Sequence, residues 1–172
     1  MASARPARDE DVGSRHGSEL GTLTNEVRGW RSLQLGRLPL SALNFYYGAK
    51  PVEVEVPALL IRINRLYRHD MTAEELYEAT RGVWKLGPRR SKAKYAFAVF
   101  EGVVREVYEI ESWHAAATTA YATRDASQLT TKDRYEFLGR VADAAIRDVY
   151  AGGSVAKEFR KGQQSPVVYV NC

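Results

Sequence analysis

Residues 89–114, RRSKAKYAFAVFEGVVREVYEIESWH, decide the reading of this chain. The run Tyr95 to Phe100 is apolar at every position and stops at Glu101-Gly102, beyond which Val103, Val104, Val107, Tyr108 and Ile110 resume. An acidic residue followed by glycine between strand-like runs signals a two-residue turn, because glycine accepts the positive φ that a tight hairpin demands. The stretch therefore predicts a β-hairpin whose first strand is buried on both faces and whose return strand ends near Trp113. Arg89, Arg90, Lys92 and Lys94 place positive charge at its entry, while Tyr95, Phe97, Phe100, Tyr108 and Trp113 place rings along it. Cations beside aromatic faces are the chemistry that holds a phosphate backbone next to an accessible base.

Upstream of the hairpin, Leu59, Leu60, Ile61, Ile63 and Leu66 predict a strand that starts near Ala58. Thr72 followed by Glu75 has the capping-box form, in which each side chain reaches an amide left unpaired at a helix start. A helix is expected from Ala73 to Trp84, with Leu76, Ala79, Thr80 and Val83 inward and Gly87-Pro88 as its stop. Downstream, residues 115–133 are rich in Ala, Thr and Ser and read as a long surface loop. Tyr135 to Val141 reads as a strand, Asp143 to Tyr150 as a short helix halted by Gly152-Gly153, and Pro166 to Val170 as a closing strand. Ser154 is placed as the cap of a last helix reaching Lys161.

Residues 1–21 carry almost no large apolar side chain, cannot offset their ordering entropy and are expected to form a disordered tail. Residues 22–57 form an N-terminal extension that includes Trp30, Leu33, Leu35, Phe45, Tyr46 and Tyr47. It is read as a helix and loop packed on the main domain, as the remainder of a larger parent architecture in which this domain followed another, or as a docking segment for a partner domain or protein. The main domain spans residues 58–172. Its element order lacks the strand and crossover-helix alternation of a doubly wound sheet. The expectation is an α+β fold: a small bent β-sheet or β-barrel flanked by short helices.

The Trp84-Lys85-Leu86-Gly87 helix exit, the YAFAVFEGVVREVYEI hairpin, the RYEFLGRV strand and the closing PVVYVN resemble the PUA-like superfamily, which includes ASCH, EVE and SRA-type domains. The likeness covers about Leu59 to Asn171 and is greatest to PUA-like domains associated with prokaryotic nucleases and restriction-type proteins. It implies nucleic-acid binding, with DNA favoured over RNA, and extends to reading a modified or flipped base. The Gly-x-Lys-x-x-Glu pattern of ASCH domains is absent, so an ASCH-style RNA function or hydrolysis is not carried over.

Composition narrows the classes further. The chain has 172 residues, 45% hydrophobic and 27% charged, with a formal charge of +4, values that suit a soluble domain with an anionic partner. No apolar run approaches the roughly 20 residues of a membrane span, and no signal-type segment follows the N-terminal basic residues. The single cysteine, Cys172, excludes an intrachain disulfide and suits a reducing cytoplasm. One cysteine and three histidines do not make a zinc-finger set. No metal and no cofactor are expected.

The candidate nucleic-acid site combines Arg81, Lys85, Arg89, Arg90, Lys92 and Lys94, a mixture of bidentate guanidinium and compact ammonium donors suited to a backbone track. Trp84 and Trp113 lie at element ends, where a ring can either stay partly exposed and stack on a base or complete the hydrophobic core at the rim of the sheet. His114 is placed to donate to a phosphate or a base edge. Tyr108 is assigned to core packing. Lys157, Arg160, Lys161, Gln163, Gln164 and Ser165 form a second basic and amide-bearing segment that could extend the track. The rival enzyme reading, a metal-dependent hydrolase or nuclease, would use Glu106, Glu109 and His114. Ion pairing of Glu106, Glu109 and Glu111 with Arg105 or the lysines is the simpler account of those acids.

Overall fold

A computed structural model of the chain describes residues 48–125, 127 and 129–172. The expected tail and most of the N-terminal extension lie outside the described residues. Five strands form one open mixed sheet: β1 (Ala58–Arg62), β2 (Tyr95–Phe100), β3 (Val103–Ala115), β4 (Tyr135–Val141) and β5 (Val167–Val170), in spatial order β4-β3-β2-β1-β5. The fold is α+β with a small sheet and flanking short helices. The sheet does not close into a barrel.

β1 and β2 are parallel neighbours, and all other pairs are antiparallel. A parallel pair needs a crossover, which α1 (Ala73–Arg81) supplies. Sitting at the centre, β2 is buried at all six positions, and β1 is buried through Ile61. These are the continuous apolar runs expected where both faces are covered. One face carries Leu60, Phe97, Val99, Val104 and Val107 against Tyr150 and Val155, while α1 covers the other face across β2 and β4. Val52, Val54 and Val56 also pack into this core, so part of the N-terminal extension belongs to the packed structure.

The hairpin turns where the sequence places it. Glu101 and Gly102 both have positive φ, 49° and 81°, and a Cβ on Gly102 would stand 2.9 Å from the Cβ of Ala156. Asn64 fastens this turn by accepting from the Glu101 amide and donating to its carboxylate. The Thr72/Glu75 capping box is present in both directions. Helix α1 stops at Arg81 rather than Trp84, because Gly82 is extended and Trp84 exchanges both backbone hydrogen bonds with Tyr135. The short helix α2 (Ala144–Tyr150) ends before Gly152.

The expected last helix to Lys161 is absent. A 3-10 turn, Ala156–Glu158, takes its place, and Ser154 caps nothing. Its amide donates to the Lys50 oxygen and its own oxygen accepts from Val52, so backbone pairing with the extension replaces the cap. Among the described residues no helix is long and apolar enough to cross a membrane.

Candidate nucleic-acid interface

The strand registers gather one end of the sheet. The start of β2, the start of β1 and the exit of β5 meet where Ala58 pairs with both Tyr95 and Val170. The far end of β3 and the start of β4 lie there too, with Trp113 opposite Phe137 and Ala115 opposite Tyr135. Into this end runs the 3-10 turn Pro88–Lys92, whose residues are all partly or fully exposed. Trp84, Lys85, Arg89, Arg90, Lys92, Lys94, Trp113 and His114 therefore share one end of the sheet. We call the turn and its flanking cations the basic ridge.

The ridge is held from below. Lys94 and Tyr95 both donate to the Pro57 oxygen, and the Trp84 indole N–H donates to the Thr80 oxygen at 2.7 Å. Arg134 Nη1 donates to the Val83 oxygen at 3.2 Å. The Arg90 guanidinium lies 3.5 Å above the Tyr135 ring, and Arg89 lies 4.9 Å above the ring of Tyr169. Among the described residues no salt bridge to an Asp or Glu side chain involves Lys85, Arg89, Arg90, Lys92 or Lys94. The acids on the surface of β3 are instead engaged by other cations: Glu106 with Arg147, and Glu109 and Glu111 with Arg140. Arg105 lies over the Tyr67 ring.

Three sequence expectations change here. Arg81 does not belong to the ridge: it is 1% exposed, donates to the Thr119 hydroxyl and the Ala120 oxygen, and lies 3.8 Å above the Tyr121 ring. Its position at the end of α1 points it inward, under the loop that follows β3. The rings of the hairpin are not an outward row either, since Tyr95, Phe97 and Phe100 are buried, while Tyr108 lies in the core as expected. Burial also raises the Tyr108 phenol well above its usual range. The two tryptophans expected at the site, Trp84 and Trp113, are partly exposed, and Trp113 touches Phe137 edge-on at 5.7 Å. The second basic segment, residues 157–165, lies at the entrance of β5, the end opposite the ridge, and does not continue it.

The rival catalytic set is dispersed along β3. Glu106 and His114 are eight residues apart on one strand, about 25 Å, and His114 hydrogen-bonds Ser112 Oγ at 2.8 Å. No group of three or more His, Cys, Asp or Glu positioned for a metal ion occurs among the described residues.

Beneath the ridge lies a polar cluster that the sequence does not announce. Glu136, fully buried on β4, accepts from the amides of Ala117, Thr118 and Thr119, the Thr119 hydroxyl and the Tyr121 hydroxyl. Glu78, on the buried side of α1, accepts from the amides of Ala122 and Thr123 and the Thr123 hydroxyl. Burial pushes both carboxyls up, but the donated hydrogen bonds outweigh it and hold both below the ordinary carboxylate range. Tyr121 moves the opposite way, raised by burial and by its bond to Glu136. The cluster binds the loop rather than a ligand, since every carboxylate oxygen is already served by the protein itself.

No family model, curated protein or solved structure matches this chain.

Proposed function

We propose that this domain is a non-catalytic nucleic-acid-binding module of PUA-like type, with the phosphodiester backbone on the basic ridge and bases at Trp84 and Trp113. The observation that carries the reading is the gathering of Lys85, Arg90, Lys92 and Lys94 with two half-buried tryptophans at one end of the sheet, without acidic partners among the described residues. Unpaired cations on a backbone held by its own hydrogen bonds need little reorganisation to meet an anion. DNA is favoured over RNA, and a modified or flipped base as the object of recognition, on the resemblance to restriction-associated PUA-like domains. A reducing cytoplasm is the compartment this reading assigns.

The test is a titration against plain and modified duplex DNA, single-stranded DNA and RNA across salt concentrations. If four cations each meet a phosphate, log K should fall with log salt at a slope of about −3 to −4 on duplex DNA. Arg90→Ala should flatten that slope by about 0.9, and Trp84→Ala should weaken single-strand binding about fivefold or more. Absent or salt-insensitive binding throughout the panel would overturn the proposal. Magnesium- or manganese-dependent cleavage lost in Glu109→Gln would return the enzyme reading instead.

A further inference from the structure

The cations of the ridge are not equivalent. Arg89 directs Nε and Nη2 onto one acceptor, the main-chain oxygen of Cys172, at 2.9 and 2.6 Å. Its plane lies over the Tyr169 ring, and the Tyr169 hydroxyl accepts from the Gly87 amide at 3.0 Å. The turn is thus fastened to the exit of β5 at two points, Gly87 and Arg89. Arg90, one residue on, commits only Nη1 to its own turn, at the Gly87 oxygen, 3.1 Å away. Lys92 and Lys94 are exposed.

We propose that Arg89 is a positioning residue of the ridge, not one of its phosphate ligands. Two donors that converge on one main-chain oxygen cannot offer the same fork to a phosphate, so Arg89 spends its geometry on the shape of the turn. Phosphate then falls to Lys85, Arg90, Lys92 and Lys94. This assignment rests on the nucleic-acid reading above and divides the labour within that site. Lysine cannot stand in for Arg89, because a single ammonium has neither the fork nor the flat face that lies on Tyr169.

Arg89→Ala and Arg89→Lys separate the roles. Both variants should weaken duplex DNA binding by a similar roughly five- to tenfold, with the salt slope of the wild type retained, and Tyr169→Leu should do the same. A phosphate ligand would behave otherwise: Arg89→Lys would bind like wild type and Arg89→Ala would flatten the slope by about 0.9, and that pattern overturns the assignment. Amide exchange gives a readout that needs no ligand. The amides of Arg90 and Ala93, which close the 3-10 turn, should exchange faster in both Arg89 variants. Unchanged exchange overturns the positioning role, whereas a wild type that binds no nucleic acid while its Arg89 variants loosen the turn overturns only the earlier reading.

Discussion

Replacing Glu136 with glutamine changes one atom in a fully buried side chain and should cost more stability than any ion pair on the surface. The carboxylate receives five hydrogen bonds, two on Oε2 from Ala117 N and Tyr121 Oη at 2.7 and 2.6 Å, and three on Oε1 from Thr118 N, Thr119 N and Thr119 Oγ1 at 3.2, 2.9 and 2.8 Å. Glutamine has one acceptor oxygen, so in either orientation its NH2 group faces at least one main-chain amide that cannot turn away. The hydroxyls of Thr119 and Tyr121 can rotate to accept, which recovers part of the loss. Losing a charge-assisted bond costs about 1.5–3 kcal/mol and leaving a buried amide unpaired about 1–3 kcal/mol, so a net loss of about 3 kcal/mol is expected. For a chain of this size that lowers the melting temperature by about 6–12 °C. Circular-dichroism melts measure it, and hydrogen exchange at Ala117, Thr118 and Thr119 localises it. Glu109→Gln, which removes only an exposed partner of Arg140, should change stability by less than about 1 kcal/mol. If Glu136→Gln melts like Glu109→Gln and keeps those three amides protected, the carboxylate does not hold the loop.

Acid should release the same loop. Glu136 and Glu78 are held below the ordinary carboxylate range in the fold, so their stabilisation is complete above that range and is lost as pH falls below it through their folded values. Exchange protection at residues 117–123 should fall in that window before the central sheet yields, and a loop as protected at about pH 2.5 as at neutral pH would contradict the assignment. Gly82→Ala attacks the cluster from the helix side. A Cβ there would sit 2.5 Å from the Tyr121 hydroxyl oxygen and 2.9 Å from the Glu136 Cβ, so denaturant melts should show a loss of about 1–3 kcal/mol.

Local chemistry made the hairpin and the helix start legible. Glu101-Gly102 carries its own turn signal, and Thr72 and Glu75 satisfy each other within four residues. Continuous burial of Tyr95 to Phe100 followed from composition alone. The side-chain directions of the site did not. Arg81 reads as one more cation near a basic run, and its burial depends on Thr119 and Ala120, nearly forty residues away. Tyr135 and Tyr169, the rings beneath Arg90 and Arg89, come from strands that the topology alone brings to the ridge. Ser154 has cap chemistry, but a backbone pairing with residues 50–52 took its amide and carbonyl first. In each case a long-range contact overrode a short-range cue, which is where single-sequence reading has no purchase.

Residues 82–87 explain why the buried cluster and the ridge belong to one structural argument. This short connection leaves α1 beside Glu78 and Arg81 and delivers the chain to the ridge turn at Pro88. Arg124 donates to the oxygens of Glu78 and Gly82, Arg134 to that of Val83, and Trp84 pairs with Tyr135 through both backbone groups. Gly87 then meets the Tyr169 hydroxyl, and Leu86 is buried between. A helix exit without regular hydrogen bonding is thereby held along most of its length by groups from the loop, β4 and β5. Two of those groups, Arg124 and Arg134, come from the neighbourhood that Glu136 and Glu78 organise. The loop that the buried carboxylates bind thus leads directly into Arg124, one of the groups that hold the backbone running up to the ridge.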